Sequence, residues 1–155
     1  AKHVDSYLIF AGGVHPEVAP GEIIRVREVE GKYYFAFKGA GSENTVTRRP
    51  HINIPIDEAQ AEELFTLYAK LAVVTKNPRK LYSKQVSPSV GVVGGEMHLC
   101  LDTVSELGTF AELSLYAHDA EEARNILLKE AHKLGFGLPT IVPGNYLQMT
   151  LRKKV

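Results

Sequence analysis

Residues 23–38 read Ile23-Ile24-Arg25-Val26-Arg27-Glu28-Val29-Glu30-Gly31-Lys32-Tyr33-Tyr34-Phe35-Ala36-Phe37-Lys38, and their pairing decides the fold. Two runs rich in β-branched and aromatic residues flank Glu30-Gly31, which predicts strands over 23–29 and 32–38 around a tight turn. With a two-residue turn, Val29 faces Lys32, Arg27 faces Tyr34, Arg25 faces Ala36 and Ile23 faces Lys38. Side chains alternate across a strand, so Arg25, Arg27 and Lys38 share one face. Ile24, Val26, Tyr33, Phe35 and Phe37 form the other, the face that helices would cover. Like charges about 4 Å apart repel by roughly 1 kcal/mol in water and about 4 kcal/mol in a partly buried site. The cationic face is therefore either washed by solvent or occupied by an anion, and the hairpin alone leaves both readings open.

Outward from the hairpin, the pattern predicts a strand over 4–10, followed by a loop containing Gly12, Gly13, Pro16, Pro20 and Gly21. A strand over 45–56 is ended or strained by Pro50 and Pro55. Asp57 caps a helix to about 71, with Ala61, Leu64, Phe65, Tyr68 and Leu71 at helical spacing. Further strands are expected over 72–86, over 90–102 with a turn at Gly94-Gly95, and over 109–116. An amphipathic helix over 119–134 stops at Gly135, and a short helix begins near 145. The fold class is α+β: mostly antiparallel strands forming a tunnel-like barrel, with helices packed on the outside, in a single domain over 1–155.

Later strands add cations: Arg48 or Arg49, then Lys76 and Arg79, then Lys80 and Lys84. If the sheet closes, they converge on a cavity. Carboxylates are scarcer. Alternation groups Glu112 with Phe110, Ser114 and Tyr116, while Asp102 is read as a structural cap of the turn before Leu107-Gly108.

The bulk numbers frame what such a face can be. Lys and Arg number 18, as do Asp and Glu, so the formal charge is zero and a broad nucleic-acid surface is not expected. Any anion site must come from local segregation of charge. A 155-residue chain with 45% hydrophobic residues can bury one sizeable core. Cys100 is the one cysteine, which excludes an internal disulfide and a cysteine-based zinc site; it is read as a small buried hydrophobe. No apolar run is long enough for a membrane helix and no secretory leader is recognised, so no membrane partner and a cytoplasmic location are expected.

These segments in this order resemble the CYTH domain, the family of class IV adenylate cyclases and thiamine triphosphatases, also called triphosphate tunnel metalloenzymes. The resemblance begins at Asp5-Ser6-Tyr7-Leu8 and runs through Ile24-Arg25-Val26-Arg27 and Ala36-Phe37-Lys38-Gly39. It continues with Lys76 and Arg79 before Tyr82, then Leu99-Cys100-Leu101-Asp102. Leu107-Gly108-Thr109-Phe110-Ala111-Glu112 is its most specific piece, and Gly144-Asn145-Tyr146-Leu147 ends it. The resemblance implies a tunnel whose basic residues, here Arg25, Arg27, Lys38, Arg49, Lys76 and Arg79, grip a triphosphate. It also implies magnesium or manganese held by paired glutamates, of which Glu112 is the match in this sequence.

The departures are as informative. The opening Glu-x-Glu-x-Lys strand of the family is absent from the sequence, which begins at Ala1. An acidic pair expected after Arg49 is replaced by His51 and Asn53, and the partner of Glu112 is Ser114. His51 is read as a hydrogen-bonded structural residue before a metal ligand. Two readings follow from the resemblance. One is metal-dependent hydrolysis or cyclisation of a triphosphate substrate, whether nucleoside triphosphate, thiamine triphosphate or inorganic triphosphate. The alternative is a non-catalytic binding module for a polyphosphate or organic phosphate that has lost its metal-binding acids. A structural or partner-binding domain with a merely solvated basic face ranks third.

Overall fold

A computed structural model of the chain describes residues 1–10, 22–39, 50–87 and 95–153. Among these residues seven strands form one sheet: β1 (His3–Phe10), β2 (Ile23–Val29), β3 (Lys32–Lys38), β4 (His51–Ile56), β5 (Tyr68–Val86), β6 (Gly95–Val104) and β7 (Gly108–Leu115). Three α-helices accompany them among the described residues, α1 (Glu58–Leu67), α2 (Ala120–Lys133) and α3 (Tyr146–Lys153), with a short 3-10 turn at Leu138–Thr140. The sheet order is β4-β3-β2-β1-β5-β6-β7, and every neighbouring pair is antiparallel. The α+β, antiparallel class is thus the one expected.

The central hairpin has the expected register, with Arg27 opposite Tyr34 and Arg25 opposite Ala36. Glu30 and Gly31 take φ of 51° and 76°, the left-handed pair that a two-residue turn needs to match strand twist. Residues directly opposite on paired strands share a face. Asp5 and Tyr7 on β1 therefore join Arg27 and Arg25, their partners, on one face of the sheet. That face is concave. His51 at the start of β4 and Tyr116 just beyond β7 come from opposite edges of the sheet, yet His51 Nδ1 lies 3.3 Å from the Tyr116 hydroxyl.

The expected barrel is corrected in one respect: among the described residues the sheet does not close. β4 and β7 are edge strands that approach without pairing, so the tunnel is a curled, open sheet. Two helix and strand boundaries also move. Residues 68–71 fit a helical spacing, but Tyr68 and Lys70 pair with Phe10 and Leu8, and ladder bonds to β1 win over helix propensity. The α1 helix therefore ends at Leu67. Pro78 falls at a register shift between Lys76 and Arg79, where a missing N–H is tolerated.

Two apolar clusters hold the sheet's faces. On the convex side Leu8, Val26 and Ala61 pack beneath α1 with Leu64 and Phe65. Asp57 caps that helix: its carboxylate accepts from the Gln60 amide at 2.7 Å, while the Gln60 side chain accepts from the Asp57 amide at 2.9 Å. The second cluster, Tyr7, Ile23, Val74 and Val104, takes in Phe110, Tyr146 and Leu147. Helix α1 covers the outside as expected, and α3 in addition sends its first residues into the concave side. The α2 helix packs along β7, tied to β5 by Lys84 and Glu130 at 3.0 Å.

Candidate functional site

The concave face is built from alternate residues of every strand, and two fully buried carboxylates organise it. Asp5 on β1 has no exposed surface. Arg27 donates to both of its oxygens, Nε to Oδ1 at 2.6 Å and Nη2 to Oδ2 at 2.8 Å, a bidentate charge-assisted pair. Lys76 Nζ stands 3.2 Å and Arg25 Nη1 3.6 Å from Oδ2. Burial would raise the Asp5 pKa, but the Arg27 hydrogen bonds and the charges of Arg25 and Lys76 outweigh it and hold the carboxyl well below the usual range.

Asp102 on β6 is the second hub, also without exposed surface. Its Oδ2 accepts from the Tyr146 hydroxyl at 3.0 Å and lies 3.9 Å from Lys76 Nζ, while Arg79 Nε is 3.5 Å from Oδ1. Arg79 also reaches Glu112 on β7, Nη2 to Oε2 at 3.6 Å. A chain of alternating charge thus crosses five adjacent strands, from β2 through Asp5, Lys76, Asp102 and Arg79 to β7. Sequence reasoning took Asp102 for a turn cap; it lies within β6, and its partners are cations and a tyrosine hydroxyl, not turn amides.

Among the described residues positive charge still predominates. Arg25, Arg27, Lys38, Lys76 and Arg79 face three carboxylates, Asp5, Asp102 and Glu112. Burial is the larger cause, and the charges of Lys38, Arg25 and Arg27 add to it, in holding His51 at about 4. His3 is likewise held at about 4, by burial first and then by Arg27 and Arg79. Both histidines are neutral at pH 7. Burial works against the Glu112 carboxylate, but Lys76, Arg79, Lys38 and Arg27 together hold its pKa below the ordinary value. Lys38 and Arg27 act on it from the other side of the groove. Arg25 is 6% exposed, and its Nε has no hydrogen-bond partner among the described residues.

The expected phosphate set separates accordingly. Arg25, Arg27, Lys38, Lys76 and Arg79 are brought to one face; Arg49, with Arg48, lies outside the described residues. Lys80 and Lys84 pair opposite Leu101 and Met97, on the alternate face from Arg79 and Asp102. Lys84 is spent on Glu130. His51 and Asn53 sit on the concave side of β4, opposite Lys38 and Ala36. Ser114 pairs with His98, two positions along from Glu112. What the sequence reasoning missed is the role of Asp5, whose alternation with His3 and Tyr7 was visible but whose partner strand was not.

The implied metal can be tested on the donors present. Among the described residues no three His, Cys, Asp or Glu side chains lie close enough to hold an ion. Asp5 is engaged by three cations, and Asp102 faces two cations and a tyrosine, although its buried Oδ1 has no hydrogen-bond partner among the described residues. Glu112, with 44% of its side chain exposed, is left as a single carboxylate. Magnesium takes six oxygens in near-octahedral geometry, so these residues do not fit a two-metal centre.

No protein-family model and no curated protein matches the sequence. Solved structures do. The PH1012 protein of Pyrococcus horikoshii superposes with a TM-score of 0.68 at 18% identity, covering 95% of this chain and 80% of that one. A Vibrio parahaemolyticus protein named as an adenylate cyclase gives 0.66 at 17% identity, covering 96% and 79%. A Hippeastrum protein named as an adenylyl cyclase, with a dominant triphosphatase activity, gives 0.56 at 14% identity, covering 87% and 75%. The chain therefore has the CYTH-like fold that its motifs resemble. Among the described residues no helix is long and apolar enough to cross a membrane.

Proposed function

We propose that the chain binds a triphosphate-containing small molecule, or a similarly compact polyanion, on its concave face. Arg25, Arg27, Lys38, Lys76 and Arg79 engage the phosphates. The observation that carries this reading is the excess of cations over carboxylates, among the described residues, on one partly enclosed sheet face. In such a place a multivalent anion relieves repulsion that water screens poorly. The solved structures of like fold with cyclase and triphosphatase names support a triphosphate over other polyanions.

A second reading, hydrolysis or cyclisation of the triphosphate with magnesium or manganese, is favoured by one feature: Glu112 is ionised, half-exposed and beside the cations. It would contribute one ligand, the rest coming from phosphate oxygens and water. The two readings are separated by titrating the protein with inorganic triphosphate in a calorimeter with EDTA, and by assaying phosphate and pyrophosphate release with each metal. Heat of binding with EDTA and no turnover with metal support the binding module. Metal-dependent release that disappears in Glu112→Gln supports the enzyme. No binding under either condition overturns both.

A further inference from the structure

The concave face carries an anion of its own. Both oxygens of Asp5 are engaged, Oδ1 by Arg27 at 2.6 Å and Oδ2 by Arg27 at 2.8 Å, Lys76 at 3.2 Å and Arg25 at 3.6 Å. These are three of the five cations given above to phosphates. A carboxylate held by the fork of a guanidinium presents much the same pair of acceptor oxygens as a phosphate does. A phosphate reaching the same groups must share their charge with Asp5, which is covalently present and fully buried.

We propose that Asp5 is a positioning residue that acts as an internal counter-anion: it gathers Arg25, Arg27 and Lys76 in the unliganded protein and sets the affinity of the site by competing with the bound anion for their charge. This rests on the anion-binding reading above. The sign of its effect follows from electrostatics. Neutralising Asp5 leaves two buried cations, Arg25 and Lys76, and the partly buried Arg27 less opposed, so the empty fold weakens. The same change removes a negative charge that repels a bound phosphate, so anion binding tightens. Because the Coulomb energy scales with the product of charges, the gain is larger for a more highly charged ligand. A carboxylate with a purely structural role behaves otherwise: its loss loosens the arginines and weakens binding.

The test uses Asp5→Asn, which keeps the shape and one acceptor for Arg27. Wild type and variant are titrated calorimetrically with inorganic triphosphate and with orthophosphate, in EDTA, and their thermal midpoints are measured without ligand. The variant is expected to melt at a lower temperature when empty, to bind triphosphate about tenfold more tightly, and to gain less for orthophosphate. Equal or weaker triphosphate binding by the folded variant overturns the proposal. If Asp5→Asn does not fold in buffer, it is refolded in the presence of triphosphate: recovery of a folded protein is expected, and failure to recover counts against the counter-anion role. Wild-type protein that binds no triphosphate fails the underlying reading instead, which keeps the two failures distinct.

Discussion

Tyr146, the first residue of α3, donates its hydroxyl to Asp102 Oδ2 at 3.0 Å and thereby ties the C-terminal helix to the charge network of the sheet. Its ring lies 4.8 Å from Lys76 Nζ and packs edge-on to Phe110, with centroids 5.4 Å apart. One side chain thus contacts an acid, a cation and the apolar cluster. Tyr146→Phe keeps the ring and removes the donor from a buried carboxylate, an expected loss of about 1–3 kcal/mol. Tyr146→Ala removes the packing as well and should cost more, about 3–5 kcal/mol. Urea denaturation reads both, and a Phe variant as stable as wild type would show that the hydroxyl contributes nothing.

Stability should fall with pH in two stages. His3 and His51 titrate at about 4 in the fold against 6.5 ordinarily, so the unfolded chain takes up protons first. Folding is therefore weakened as pH falls from 6.5 towards 4. Asp5 is held below its ordinary 3.8, so its contribution is intact above that value and is lost as pH drops further. Urea midpoints measured across this range should decline in both stages. Replacing both histidines by asparagine should flatten the upper stage alone; an unchanged upper stage would reassign it to other groups.

At the start of α1 the reciprocal bonds between Asp57 and Gln60 satisfy two amides that otherwise lack helical partners. Asp57→Ala should cost about 1 kcal/mol by chemical denaturation, with the loss confined to stability. Triphosphate affinity should be unchanged, since α1 lies on the convex side.

On the convex side of edge strand β4, Ile52 and Ile54 are 55% and 48% exposed. An exposed apolar edge invites pairing with another chain. Ile54→Lys should alter stability by no more than about 0.5 kcal/mol. It should also slow aggregation, which light scattering on heating would record; faster aggregation would mean that Ile54 has a packing role.

How far the sequence could be read follows from which contacts are local. The β2–β3 register was legible because a two-residue turn sets it, and with it came the shared face of Arg25, Arg27 and Lys38. Asp5 was not, because its pairing with Arg27 joins strands separated by residues 11–22 and no local pattern names the partner. Asp102 was misassigned for a related reason. Two residues from the end of β6 it looks like a cap, and only the β5 register sets it opposite Arg79. Residues 68–71 satisfied a helical period and a strand partner at once, and the tertiary ladder decided. Barrel closure depends on shear summed over all strands, which no single segment encodes.

Whether the concave face holds an anion is decided by a crystal structure of the protein grown with inorganic triphosphate and EDTA. Phosphate density is expected between β2 and β7, within hydrogen-bond reach of Arg25, Arg27, Lys76 and Arg79. Triphosphate bound elsewhere on the molecule, with these side chains still closed on Asp5 and Asp102, would contradict it.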